Sequence, residues 1–235
     1  MIEYKSRAIA LTYFKHKENS IISKVFTEEM GLQTFIVNGS YSKKSKKKIA
    51  FFQPLETSVI NASFSNKNNL QKIKEINLPD NSFNIFMSIQ NKFIALFIAE
   101  VLSKILHENE QDKSLFDFIW NTKSFLAKEK IVSSNFSIIF LLKLSGFLGF
   151  YPSNNKIKKP FFFDIKNAEF TKKESNTTIN YELSKYLHLL LNKEEPLIAY
   201  ESRKKILSVI IKYYKTHHHE LKNLTSHSII EMLRS

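Results

Sequence analysis

The chain has no cysteine. Disulfides and thiolate metal sites are therefore excluded. Arginine is nearly absent as well, with only Arg7, Arg203 and Arg234. Glycine and proline are scarce beside abundant Ile, Asn, Lys and Phe, a composition that resembles AT-rich coding and supplies some lysines without functional cause. The longest apolar runs, residues 93–99 and 138–142, are too short to span a bilayer. No apolar stretch stands behind Met1-Ile2-Glu3-Tyr4-Lys5 as it would in a signal peptide. A soluble cytoplasmic protein with no membrane contact is expected. There is no Gly-rich phosphate loop, no Gly-x-Ser-x-Gly and no His-Glu-x-x-His. The neighbouring acids Glu18, Glu28 and Glu29, and the pair Glu194/Glu195, lie in polar surroundings and read as surface charge. No enzyme and no cofactor are expected.

What the chain does have is positive charge. Its 235 residues carry 35 basic and 22 acidic side chains, a net charge of +13, with a pI near 9.6. That balance favours a polyanionic partner. The charge is densest in Asn38-Gly39-Ser40-Tyr41-Ser42-Lys43-Lys44-Ser45-Lys46-Lys47-Lys48, which has no acid. A solvated loop is the plain alternative, but lysines this crowded repel one another and favour a counter-charge. The stretch lies between two segments that read as strands, 34–37 and 49–53, so it is mounted on a sheet edge, a suitable place to hold a phosphate backbone. Tyr13, Phe14, Phe51 and Phe52 lie on strand-like segments and offer faces on which bases could stack. For Tyr13 and one of Phe51 and Phe52 a core position is the better reading, which leaves Phe14 or the other phenylalanine to face outward.

The first part of the chain reads as β. Ile9, Leu11 and Tyr13 alternate, predicting a strand with one buried face. Residues 21–27 and 32–37 predict two more, joined at Glu29-Met30-Gly31. Residues 49–55 and 57–64 complete five short strands, with Pro54 marking an edge or a bend. Such strands predict a small closed barrel, since closure removes exposed edges. Residues 70–76 stay open, as one more strand or none. Beyond Pro79-Asp80-Asn81-Ser82 the period becomes helical: Phe86, Ile89, Phe93, Leu96, Phe97, Glu100, Val101 and Ile105 share one face. Further helices are predicted over 114–128, 133–148, 180–192, 202–215 and 226–233. The one over 133–148 is apolar nearly all round and so central. Residues 154–175, basic and aromatic, predict a short hairpin turning at Asn167.

His217-His218-His219 invites a metal reading. Consecutive helix residues point in different directions, so the three cannot converge on one ion, and a polar cluster at a helix C-terminus is the better account. Ser202-Arg203-Lys204-Lys205 opens a helix whose apolar side carries Ile206, Val209, Ile210 and Tyr213. It reads equally as an ordinary packed helix or as a groove for an acidic peptide ending in a carboxylate.

The order of motifs resembles the RecO family of bacterial recombination mediators. Four segments carry the resemblance. The first is Lys5-Ser6-Arg7-Ala8-Ile9-Ala10-Leu11, followed by Val25-Phe26-Thr27-Glu28-Glu29-Met30-Gly31. The second is Val37-Asn38-Gly39-Ser40, running through the lysines to Phe52-Gln53-Pro54-Leu55. The third is Phe97-Ile98-Ala99-Glu100-Val101-Leu102 with Leu115-Phe116-Asp117-Phe118. The fourth is Leu144-Ser145-Gly146-Phe147-Leu148-Gly149-Phe150-Tyr151-Pro152 with Tyr213-Tyr214-Lys215-Thr216-His217-His218.

The resemblance implies an α+β protein with an N-terminal OB-fold β-barrel over 1–79 and an α-helical domain over 80–235. Many members carry a four-cysteine zinc module where this chain has residues 154–175. Here the hairpin, with Phe161–Phe163 and Phe170, stands in its place, so no metal is expected. The resemblance also implies a non-enzymatic role in recombinational repair with RecF-pathway proteins. That role is to bind single- and double-stranded DNA, anneal complementary strands and help load RecA on strands coated by single-strand-binding protein. The implied partners are RecR, the acidic C-terminal tail of single-strand-binding protein and, indirectly, RecA, with action at the nucleoid. On this reading Lys43, Lys44, Lys46, Lys47 and Lys48 contact phosphates, flanked by Arg7 and Lys24, and Arg203, Lys204 and Lys205 receive the acidic tail. The alternatives are a basic OB-fold module for protein interaction or RNA binding without annealing activity, or a nuclease. The lack of clustered acids speaks against the nuclease.

Overall fold

β1 (Ile2–Lys17), β2 (Ser20–Thr27) and β3 (Gly31–Asn38) form an antiparallel meander. A short helix, α1 (Lys46–Ala50), follows, then β4 (Thr57–Phe64) and β5 (Gln71–Asn77). The strands close in the order β1-β2-β3-β5-β4, with β4 returning to β1. The closing seam is parallel and only two pairs long, Phe35 with Gln71 and Ile36 with Lys72. A five-stranded barrel of this order, with a helix between its third and fourth strands, is an OB-fold. The computed structural model describes residues 2–39, 46–67, 70–79, 88–153, 162–218, 221, 224–226 and 228.

The barrel is the expected one, but one strand is exchanged. Residues 49–55 are not a strand. They continue from α1 through tight turns in which Phe51, Phe52 and Gln53 N–H groups donate three residues back. The apolar alternation there serves a plug: Phe52 and Leu55 are fully buried, and Phe52 belongs to the barrel interior with Ala8, Ile21, Val25, Phe35, Ile60 and Ala62. The fifth strand is β5, from the segment the sequence left open. Its lysines and glutamate mask its period because half its side chains face solvent.

β1 is buried on both faces over Ala8–Leu11 rather than on one. Ala8 points into the barrel, whereas Ile9 and Leu11 point outward, where α2 (Ile89–Ile105) packs on β1. A bulge between Ala10 and Thr12 resets the alternation, so Tyr13 turns inward and Phe14 outward.

Residues 1–132 with 224–230 form one compact unit, and residues 133–223 with 231–235 a second. In the first, Ser88 caps α2 by accepting from Asn91 N–H, and Asp112 caps α3 (Lys113–Lys128) by accepting from Leu115 N–H. Buried Asn91 donates to the carbonyls of Leu126 (2.8 Å) and Glu129 (2.7 Å), which α3 leaves without helical partners. The loop from α2 to α3 lies along β3. Asn109 N–H donates to Leu32 O at 3.1 Å, Gln33 Nε2 to Asn109 Oδ1 at 3.0 Å, and Thr34 Oγ1 to Glu108 Oε1 at 2.7 Å. This close approach explains Gly31. Its φ is +66°, and a Cβ there would lie 2.1 Å from Glu110 O. Residues 224–226 return to α2, where the Glu100 carboxylate accepts from the N–H and hydroxyl groups of both Thr225 and Ser226.

The second unit holds α4 (Phe136–Phe147), β6 (Phe162–Asp164), β7 (Glu169–Thr171), α5 (Tyr181–Leu191) and α6 (Tyr200–His217). All the helices from α3 onward match their predicted spans to within a turn. The predicted helix over 226–233 falls almost wholly outside the described residues. α4 packs on α6, and the buried Tyr214 and Tyr213 hydroxyls donate to the carbonyls of Leu141 and Phe150. β6 and β7 form the predicted hairpin. Its turn is organised by Asp164, which accepts from the N–H groups of Lys166 and Asn167. Phe163 and Phe170 are buried 5.2 Å apart, with Phe163 also 5.7 Å from Tyr213. Residues 154–161, including Phe161, lie outside the described residues.

Candidate nucleic-acid interface

Past the two-pair seam β3 and β5 separate, and a groove of about 520 Å³ opens between them. Its floor is apolar, from Ile36, Val37, Phe52, Ile73 and Ile76, and its rim carries Lys48, Lys72 and Lys74. Lys48 and Lys72 are exposed. Lys74 pairs with Glu3, and Glu75 accepts from Asn61 Nδ2 at 2.8 Å. The lysine-dense stretch springs from the end of β3 beside this groove. Lys46 and Lys47 open α1 and Lys48 follows on it, whereas Lys43 and Lys44 lie outside the described residues. The segment that leaves α1 is held down firmly: Leu55 N–H donates to Ala10 O and Ala10 N–H to Glu56 O, each at 2.8 Å. The Glu56 carboxylate meets Lys123 of α3 at 3.1 Å, their side chains 13% and 2% exposed. Burial pushes the Glu56 carboxyl up and the Lys123 ammonium down, and their mutual attraction opposes both shifts.

The other two cations assigned to this face are engaged within the fold. Arg7 forks onto Glu28 through Nε and Nη2, both at 2.8 Å, and reaches Asp117 at 2.6 Å. Its guanidinium lies 5.1 Å from the ring centres of both Phe116 and Trp120. The hydrogen bonds from Arg7 hold the Glu28 carboxyl below the usual carboxylate range, against the opposing effect of burial. Lys24 Nζ donates to Ser103 O at the end of α2, at 3.2 Å. The structure thus places Lys48 at the groove, and Arg7 and Lys24 where helices pack on the barrel. Lys72 and Lys74 escaped the sequence reading because their segment had no assigned period. The usable signal was Lys72 and Lys74 on either side of Ile73.

Of the four aromatics considered for stacking, Phe52 is fully buried, Tyr13 and Phe51 are half-buried against the barrel core, and Phe14 is 58% exposed. In the second unit Arg203, Lys204 and Lys205 lie in the first turns of α6. Lys204 and Lys205 are exposed, and Arg203 is half-buried, 3.3 Å from Ile198 O and above the Tyr200 ring. His217 is parallel to the Phe150 ring at 5.7 Å and lies 2.8 Å from Ile165 O, so its imidazole is part of the packing. His219 lies outside the described residues. Among the described residues no three His, Cys, Asp or Glu side chains are grouped to hold a metal, and no helix is long and apolar enough to cross a membrane.

A family model described as Recombination protein O N terminal matches residues 1–81, and one described as Recombination protein O C terminal matches residues 88–225. The chain belongs to the RecO family. The DNA repair protein RecO of Flavobacterium johnsoniae is 31% identical over 100% of both chains. That of Bacteroides fragilis is 30% identical over 97% of this chain and 98% of its own, and that of Flavobacterium psychrophilum is 30% identical over 92% of each. RecO membership makes this a protein of DNA repair and recombination, built on an OB-fold.

Proposed function

We propose that this RecO protein is a non-enzymatic recombination mediator. It binds single- and double-stranded DNA, anneals complementary strands and assists the loading of RecA where single-strand-binding protein covers the DNA. The observation that carries this reading is the lysine-rimmed groove on the OB barrel, lined by Lys48, Lys72 and Lys74. Annealing brings two polyanions together, and lysines on an OB face screen their repulsion without reading sequence. On this reading Lys43, Lys44, Lys46, Lys47 and Lys48 contact phosphates, joined by Lys72. Arg7 and Lys24 contribute through the fold, because their charges are already answered by Glu28, Asp117 and Ser103 O. The exposed cations that open α6, Lys204 and Lys205 with Arg203, receive the acidic tail of single-strand-binding protein. RecR is the direct partner, and the work is done in the bacterial cytoplasm at the nucleoid.

The test is annealing of two complementary labelled oligonucleotides in the presence of a chelator, with and without the cognate single-strand-binding protein. Acceleration in both conditions is expected. A folded protein that accelerates neither reduces the reading to a basic OB-fold module for another partner. Reversal of charge at Arg203, Lys204 and Lys205 is expected to abolish binding of the tail peptide and spare direct DNA binding. Loss of both together would show that the two sites are not separate.

A further inference from the structure

We propose that an unpaired DNA strand crosses the outside of the barrel along one row of side chains, Phe14, Ile22, Ile36 and Lys72, and stacks a base on Phe14. The proposal rests on the DNA-binding reading above and adds an interaction that depends on bases rather than on charge. The row follows from the strand registers. Phe14 is opposite Ile22, Ile22 opposite Ile36, and Ile36 opposite Lys72. Side chains paired across neighbouring strands share a face. The neighbouring row, Tyr13, Ser23, Phe35 and Gln71, has the opposite sense, and Tyr13 and Phe35 belong to the barrel interior. The Phe14 row therefore faces out.

Among the described residues it is also the next row beyond the one that the helices and their loop engage. One row closer to them, Thr12, Lys24 and Thr34 align. There Lys24 donates to Ser103 O of α2 and Thr34 to Glu108 of the following loop, so that row is covered. Along this row exposure rises at both ends. Ile22 is buried, Ile36 is half-buried, and Phe14 and Lys72 are exposed. Three strand spacings separate Phe14 from Lys72, roughly 14 Å. One end of the row is thus an aromatic face and the other is the lysine rim of the groove. That pairing of a stacking face with a phosphate-binding edge suits an unpaired strand. A duplex keeps its bases stacked on one another and has none to offer Phe14.

The experiment compares equilibrium binding of three probes: a thymidine oligonucleotide, the same length of abasic sugar-phosphate, and a duplex. Wild type, Phe14→Ala, Phe14→Trp and Lys72→Ala are measured at several salt concentrations. Phe14→Ala is expected to weaken oligothymidine binding about tenfold or more. It should leave the abasic and duplex probes within about twofold and the salt slope unchanged, since stacking releases no counterions. Phe14→Trp should restore affinity, and its added fluorescence should be quenched by the oligonucleotide. Lys72→Ala should instead flatten the slope for every probe by about 0.7 to 0.9.

Wild-type affinity retained by Phe14→Ala, or an equal loss on all three probes, would overturn the row. Binding of oligouridine in place of oligothymidine would overturn the assignment to DNA. A wild type that binds none of the probes would defeat the DNA-binding reading itself, and the row with it. Because Phe14 is exposed, its truncation leaves the core intact, and far-UV circular dichroism checks that directly.

Discussion

Arg7 shows how a cation that looks available in a sequence is absorbed by a fold. Its planar fork matches Glu28, its second edge meets Asp117, and its face lies over Phe116 and Trp120. Arg7→Ala is expected to destabilise the first unit by about 2 kcal/mol, a figure already reduced for partial exposure. Arg7→Lys should recover little of it, because an ammonium cannot make the fork. Urea unfolding curves measure both. The pH dependence has a definite sign. Glu28 is depressed in the folded state, so its contribution is complete above the ordinary carboxylate range and is lost as pH falls through the lowered value. Arg7→Ala should remove that part of the acid sensitivity. The Glu56–Lys123 pair is the more costly one to break. Lys123→Met alone leaves a buried carboxylate without its counter-charge and should cost about 3–5 kcal/mol. Adding Glu56→Gln should return a substantial part of that stability. A double variant as unstable as the sum of the singles would show that the two groups do not act as a pair.

Among the elements, strands and helices with a sustained apolar run or stripe were legible in the sequence and those built to do something else were not. β2 and the first half of β3 are almost continuously buried apolar runs, and Gly31 ends their hairpin where the sequence indicated. Residues 49–55 have the apolar content of a strand, yet Phe52 and Leu55 are spent as a plug, and Leu55 takes a φ of +59° that a strand excludes. β5 lacks an apolar stripe because it closes the barrel over two residue pairs and turns its lysines to solvent. A one-dimensional pattern does not register closure. The same limit hid the groove, since Lys48 and Lys72 become neighbours only through the β3–β5 seam.

Three predictions belong to this scale. Neutralising Lys43, Lys44, Lys46, Lys47 and Lys48 should flatten the plot of log affinity against log salt by up to about 0.7–0.9 for each phosphate no longer neutralised, and an unchanged slope would remove this stretch from the interface. In the hairpin, Phe163→Ala should cost about 3–5 kcal/mol, because Phe163 joins β6 to Phe170 and Tyr213. A chelator should leave the melting temperature of the wild type where it was. A drop on chelation would reveal a metal holding that region together.

At the scale of the molecule, the +13 charge sets how fast polyanions are met, whereas Glu100 sets how the first unit is held closed. Burial alone would raise the Glu100 carboxyl. The donors on Ser226 and Thr225 outweigh it and hold the group below its ordinary value. Glu100→Ala should release residues 224–226, destabilise the first unit by roughly 2 kcal/mol or more, and open the chain after α6 to proteolysis. Limited digestion followed by mass spectrometry reads out that cleavage. In the wild type the same release should set in on acidification, as pH falls through the depressed value and the carboxylate loses acceptor capacity.

The clasp at Glu100 also orders events in time. The first unit is interrupted: its barrel, α2 and α3 end by Val132, and its last piece starts at Leu224, after residues 133–223 of the second unit have been made. Translation at about 5–20 residues per second separates the two by roughly 5–20 s. Through that interval α2 waits with Glu100 unclasped. One backbone break between the units cannot yield two complete pieces, because the earlier half would always lack its final stitch.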